Sequence, residues 1–283
     1  MMVHDYYLSV AYLENKLDKQ KVELGKKKKE MLKNISKDKN FTEFYPSFDD
    51  LKYLPQNSVL IKISFTLKKP YISKNEGEFH IVYVKEKDKK EVKIFENPIV
   101  RDKFTGLSVV RPTAWKGHLR FAAEMVKKDE TEKKKIIRRL FGSKTDEDEA
   151  LKGRLYFFST FFRNESERDV ITPLKRDTRT PVPKRAPINL ELMKIGAKGE
   201  LYLLYFPYPK GENYKDREVE EDLKFLAEAL KLMFYTYGFS AKKTAGFGVV
   251  DPIDEDKIEI VPENFKEYFS VIYRLHDGRE GGA

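Results

Sequence analysis

The stretch ENPIVRDKFTGLSVVRPTAWKGHLR, residues 96–120, carries the decisive reading of this chain. Thr105–Gly106 marks a tight turn. Pro112 suits the first turn of a helix, because the missing N–H costs nothing there and its φ is already set. The helix so begun runs to about Lys128. Its N-terminal amides, with Lys116 and Arg120, make a place where a phosphate can sit. An ordinary strand-to-helix junction with exposed basic residues is the other reading of the same letters.

Upstream, VLIKISFTL within 58–67 alternates apolar and polar residues at period two and reads as the first strand. FHIVYV at 79–84 alternates again, a hairpin-like excursion closed by the charged turn EKDKKE. Downstream, 127–150 is almost entirely charged and reads as a surface insertion touching the core through Ile136, Ile137, Leu140 and Phe141. GRLYFFSTFF at 153–162 is a short apolar strand. Residues 163–187, rich in proline and arginine, are excluded from a helix or a central strand. INLELMKI, the turn GAKG and ELYLLYFPY read as a second hairpin. Glu218–Tyr237 is the clearest helix, with Leu223, Leu226, Ala229, Leu230, Met233 and Phe234 on one face and Gly238 as its stop. FSAKKTAGFGVVDP then gives a glycine turn feeding a final strand.

Strand, helix, two or more strands, helix, strand is the ferredoxin-like or RRM-like order, so the expected class is α+β. Residues 1–55 form a lysine-rich, helix-leaning N-terminal extension, and 56–283 the main domain, with insertions at about 127–150 and 163–187.

Bulk properties set the limits. The 283 residues are 40% hydrophobic and 13% aromatic, enough to bury a core although 36% are charged. A net charge of +9 fits a polyanion such as nucleic acid or an anionic membrane surface. It fits equally well the Lys/Glu-rich surface of a heat-adapted protein. The absence of cysteine excludes disulfides, thiolate nucleophiles and Cys-ligated zinc. His4, His80, His118 and His276 are far apart and give no HExxH spacing. No apolar run of about 18 residues and no signal-peptide h-region occurs, so a soluble, cytoplasmic protein without a membrane partner is expected.

Two further segments are candidates for binding. In AKKTAGFG, 241–248, Gly246 and Gly248 let backbone approach a ligand while Lys242 and Lys243 add charge. No GK[ST] follows at Walker spacing, and a plain glycine turn is the alternative. In 163–187 the basic side chains Lys175, Arg176, Arg179 and Arg185 suit an extended arm along nucleotides, or a loop that never orders.

Taken together and in this order, these segments resemble the RAMP superfamily. ENPIVRDKFTGLSVVRPTAWKGHLR is similar to the signature of the backbone subunits of type III CRISPR effectors. IIRRLFGS resembles their RLFG element, AKKTAGFG their C-terminal glycine loop, and 170–193 occupies the place of their thumb. The resemblance covers roughly residues 58–250. It implies an RRM-like core with a thumb-like hairpin in a ribonucleoprotein of antiviral defence. The partners implied are CRISPR RNA, single-stranded target RNA, other RAMP subunits and a large polymerase-like subunit. Arg101, Lys116, Arg120, Lys175, Arg176, Arg179, Lys242, Lys243, Gly246 and Gly248 are then the expected RNA contacts. Cleaving members carry an aspartate directly before the polar-Pro pair, for metal-dependent cutting of target RNA; here that position is Glu96. Glu96 is thus the candidate catalytic and metal-binding residue, with Mg or Mn as cofactor only if the chain cuts. The resemblance leaves a guide-processing endoribonuclease using His80 or His118 as an alternative. A generic RRM is disfavoured by the missing aromatic RNP string.

Overall fold

The computed structural model describes residues 44–73, 80–86, 89–95, 97–143, 150–164, 166–173, 175, 177–178, 180–183, 186–208 and 215–274, with 80–86 and 89–95 described by backbone alone. Glu96, Arg176, Arg179, Arg185, His4, His276 and the expected N-terminal helix up to residue 43 lie outside the described residues.

Strand β1 (Val59–Thr66) is the centre of the sheet. Its alternation sends Val59, Ile61, Ile63 and Phe65 to a fully covered face, while Lys62, Ser64 and Thr66 point to the other. Further along come a ribbon of β2 (His80–Glu86) and β3 (Lys89–Phe95), then β4 (Val109–Val110), β5 (Leu155–Phe157) and β6 (Thr160–Phe161). They are followed by β7 (Glu167–Ile171), β8 (Ile188–Leu192), β9 (Lys198–Tyr205) and β10 (Ile258–Val261). The main sheet has the order β10-β1-β9-β5 and every pair in it is antiparallel.

Helix α1 (Pro112–Glu124) connects β1 to β5, and α3 (Arg217–Leu232) connects β9 to β10. Two strand–helix–strand units, each straddling a strand of the other, give the split βαβ arrangement of the ferredoxin-like class. The expected α+β fold is therefore observed. Helix α2 (Glu130–Phe141) fills the charged insertion. Asp129 caps it, its carboxylate accepting from the backbone N–H of Thr131 and Glu132 at 3.0 Å each. The four apolar residues expected to reach the core, Ile136, Ile137, Leu140 and Phe141, are all buried.

Three sequence expectations change. INLEL does not fold back on ELYLLY: β8 pairs with β7, while β9 pairs with β1 over eight registered positions and with β5 on its other edge. Residues 163–187 do enter a sheet, because 167–171 form β7, although only in this separate two-stranded ribbon. The strand after the glycine loop contributes just one bridge, Leu67 to Val250, and the sheet's fourth strand is the later β10.

An aromatic junction joins the helical layer to the sheet. Trp115 of α1 is completely buried, 4.3 Å from the Phe239 ring and edge-on to Phe65 at 6.0 Å. Its indole N–H donates to Thr160 Oγ1 at 3.0 Å, and that hydroxyl donates to the Glu200 carbonyl at 2.6 Å. Gly199 faces Phe65 across β1 and β9, where a Cβ would lie 2.6 Å from the ring.

A buried ionic knot closes the opposite end. Asp222 of α3 is fully buried and accepts from Arg139 Nε, Arg154 Nη1 and the Tyr205 hydroxyl, each at 2.9 Å. Arg139 and Arg154 reach on to Glu221 and Glu218. The knot thereby ties α2, α3, β9 and the approach to β5. Removing one partner from such a cluster strands the others without water. Asp222→Ala is expected to destabilise the fold by about 3–5 kcal/mol, measured by urea unfolding; a loss under 1 kcal/mol would mean that water reaches the two guanidiniums.

Candidate nucleic-acid interface

The solvent side of the sheet is the surface on which RRM-like proteins stack bases, and here the chain's own segment 44–54 lies on it. Tyr45 stacks on Tyr202 with centroids 4.1 Å apart and planes at 14°, and its hydroxyl accepts from the Phe161 N–H at 3.4 Å. Burial pushes the Tyr45 phenol up. Beside it Lys62 pairs with Glu259 at 2.9 Å and Glu200 at 3.5 Å. With Tyr202 only 7% exposed, this face has no free ring at its centre.

Three of the residues nominated from sequence, Lys116, Arg120 and Lys243, gather around α1 instead. Helical phase sets Lys116 and Arg120 on one flank of its outer surface and His118 and Phe121 on the other. Between them Gly117 is exposed, and a Cβ there would meet nothing within 4 Å. Arg120 is half-buried and faces Glu124 at 3.9 Å, while Lys116 is exposed. The glycine loop docks on the second flank. Lys243 Nζ sits 3.7 Å from the centre of the Phe121 ring, which meets Tyr237 edge-on. Burial lowers the Lys243 ammonium.

Within that loop the two glycines differ in role. Gly248 has φ 79°, and a Cβ would collide with Ser240 N at 2.7 Å, so its requirement is internal to the loop. Gly246, φ 77°, faces open space, and of the two it is the one that leaves room for a ligand. Lys242 is exposed in a left-handed conformation, φ 61°.

Arg101 is placed differently from the expectation of a phosphate contact. Its guanidinium, 10% exposed, donates to the Gly106 carbonyl at 2.9 Å and to Ser166 Oγ at 2.6 Å, and pairs with Glu191 of β8. Glu191 also accepts from Ser166 Oγ and from the Ile99 N–H at 3.0 Å. Burial raises the Glu191 carboxyl, but Arg101, Ser166 and Ile99 together hold it below the usual range. Asn97 adds two bonds to β8, accepting from Glu191 N at 3.0 Å and donating to the Asn189 carbonyl at 2.9 Å. Arg101 is therefore the brace between the 97–106 segment and the β7–β8 ribbon. Lys175 is exposed at the far end of that ribbon, in a turn closed by Lys175 N to Thr180 O at 2.8 Å.

Glu191 and Ser166 were not nominated from sequence, and Asn97 only as part of the 96–120 stretch. The only signal for Glu191 was a carboxylate inside the apolar alternation of INLEL. A cleft of about 570 Å³ was also missed; it opens between the ends of β1 and β9 and is lined by Ser64, Thr66, Arg163, Lys198, Asp251 and Asp254, charges of both signs.

Among the described residues no group of three or more His, Asp or Glu side chains surrounds a common point. Among the described residues, too, no helix is long and apolar enough to cross a membrane.

Burial and the Lys243 charge push the His118 imidazole down to about 4 from its usual 6.5. The neutral form is thus favoured by folding, so its contribution to stability is complete above 6.5 and is lost as pH falls toward 4. An NMR titration should find the His118 midpoint near 4, and Lys243→Ala should raise it. A midpoint at 6.5 in the unsubstituted chain would show that the glycine loop does not lie against α1 in solution.

Comparison with known proteins adds to this geometry. No curated protein matches the chain. A chain of the cryo-EM structure of the Type III-B Cmr-beta bound to cognate target RNA is similar in fold, with a TM-score of 0.50 and 14% sequence identity over 85% of this chain and 76% of that one. The family model of the RAMP superfamily matches residues 90–251, which include α1, the ribbon and the glycine loop. The chain belongs to the RAMP superfamily.

Proposed function

We propose that this protein is a single-stranded-RNA-binding subunit of a type III CRISPR effector complex, holding guide RNA and the guide–target duplex by backbone and shape rather than by base sequence. The observation that carries the reading is the outer surface of α1. Gly117 makes it low, and cations border it on both flanks, Lys116 on one, next to Arg120 in its pair with Glu124, and Lys243 on the other. A phosphate chain fits a shallow, positively bordered track, and such contacts are indifferent to sequence. The β7–β8 ribbon, fixed at its base by Arg101 and Glu191, supports the thumb assignment, since a wedge acts only from a rigid root. Family membership and the fold likeness to a chain of an RNA-bound type III-B assembly support the same reading. Other RAMP subunits and a large polymerase-like subunit are the protein partners we infer.

Guide processing by acid–base chemistry is the competing assignment. It asks a histidine to exchange a proton near neutral pH. His118, held to about 4, is a poor proton donor there, which weighs against it in that role, while the His80 side chain lies outside what the structure describes. Whether Glu96 adds target cleavage is a separate proposal, tested by Glu96→Ala in the assembled complex with Mg or Mn.

The native complex is expected to co-purify with short RNAs of uniform length; recovery without RNA would sink the proposal. Lys116→Ala with Lys242→Ala should weaken single-strand binding across sequences and flatten the log K against log salt slope by about 1 to 2. An unchanged slope would remove these lysines from the interface.

A further inference from the structure

Phe104 is one of the large apolar side chains that the fold leaves exposed. Its ring belongs to the turn 102–106 and is 56% exposed. The turn itself is locked. Asp102 Oδ2 accepts from Phe104 N at 3.1 Å, Thr105 N at 2.7 Å and Thr105 Oγ1 at 2.9 Å. Asp102 and Leu107 close the turn through their backbones at 2.9 Å, as do Gly106 and Asp102. Arg101 holds the Gly106 carbonyl from below.

Thr105 and Gly106 are buried and Asp102 is half-buried, so the base of the turn is packed and hydrogen-bonded while the Phe104 ring is left exposed. Phe44, of similar exposure, differs in lying 5.7 Å from the Phe161 ring. Lys103 is exposed next to Phe104 in the chain, a cation beside the aromatic surface.

We propose that Phe104 is a base-stacking residue, a platform on which one nucleobase of bound RNA lies while Lys103 takes an adjoining phosphate. An unstacked base offers a flat apolar face of any sequence, and an aromatic ring on a pre-ordered turn receives it without paying to fix the loop. This rests on the RNA-binding reading above and deepens it, because the contacts on α1 concern only phosphates.

The chain has a single tryptophan, Trp115, which is fully buried, so Phe104→Trp places the only solvent-accessible indole on the turn. The full-length variant is titrated with single-stranded oligouridylate and with a base-free ribose-phosphate oligomer of equal length. Oligouridylate should quench the new emission and the base-free oligomer should bind without quenching. Phe104→Ala should weaken oligouridylate binding roughly 5- to 150-fold and leave the base-free oligomer unaffected, and Phe104→Tyr should restore it. Binding of oligouridylate without quenching, or at full strength to Phe104→Ala, overturns the stacking role while the RNA-binding reading stands. Failure of both oligomers to bind overturns both.

Discussion

Trp115 sets the distances on which the rest of the molecule depends. Its ring fixes α1 against Phe65 of the central strand and against Phe239 at the root of the glycine loop. Its N–H reaches β9 through the Thr160 hydroxyl. A buried indole must find an acceptor, and the one it finds belongs to the short strand beside β4. Helix, loop and sheet are thereby referenced to one side chain. The outer surface of α1 can lie open to a ligand because its inner surface is so tightly specified.

Three arginines and three lysines show two different uses of a basic side chain. Arg101, Arg139 and Arg154 turn inward and close buried or half-buried carboxylates. Lys116, Lys175 and Lys242 remain in water. A planar fork of donors satisfies two carboxylate oxygens at once and tolerates desolvation, whereas a compact ammonium is strongly hydrated. The net charge of +9 therefore includes Arg101, Arg139 and Arg154, which close internal carboxylates and are not on offer to a polyanion.

The elements legible in the sequence were those whose period is set locally. Period-two burial gave β1, the proline gave the start of α1, and the apolar stripe gave α3, which runs on through a π-helical turn over Met233–Tyr237 to its stop at Gly238. What escaped was pairing. GAKG is a good turn between two alternating runs, yet β9 finds eight partners on β1, and that long-range burial outweighs the local hairpin. β3 (KKEVKIF) and β10 (IEIV) were missed because one is largely charged and the other is very short. Arg101 looked like any other cation, since its partner Glu191 lies 90 residues away. The family resemblance located the α1 stretch, the ribbon and the glycine loop, but it did not reveal which side chains there are spent on holding the structure.

The guanidinium of Arg101 has a mechanical consequence. It closes the 102–106 turn through Gly106 and the root of the ribbon through Glu191 and Ser166, all from one planar group. A force that tilts the ribbon is passed directly to the turn, without travelling through the aromatic core. Ribbon and turn are thus joined as the two arms of one lever, with Arg101 as its pivot.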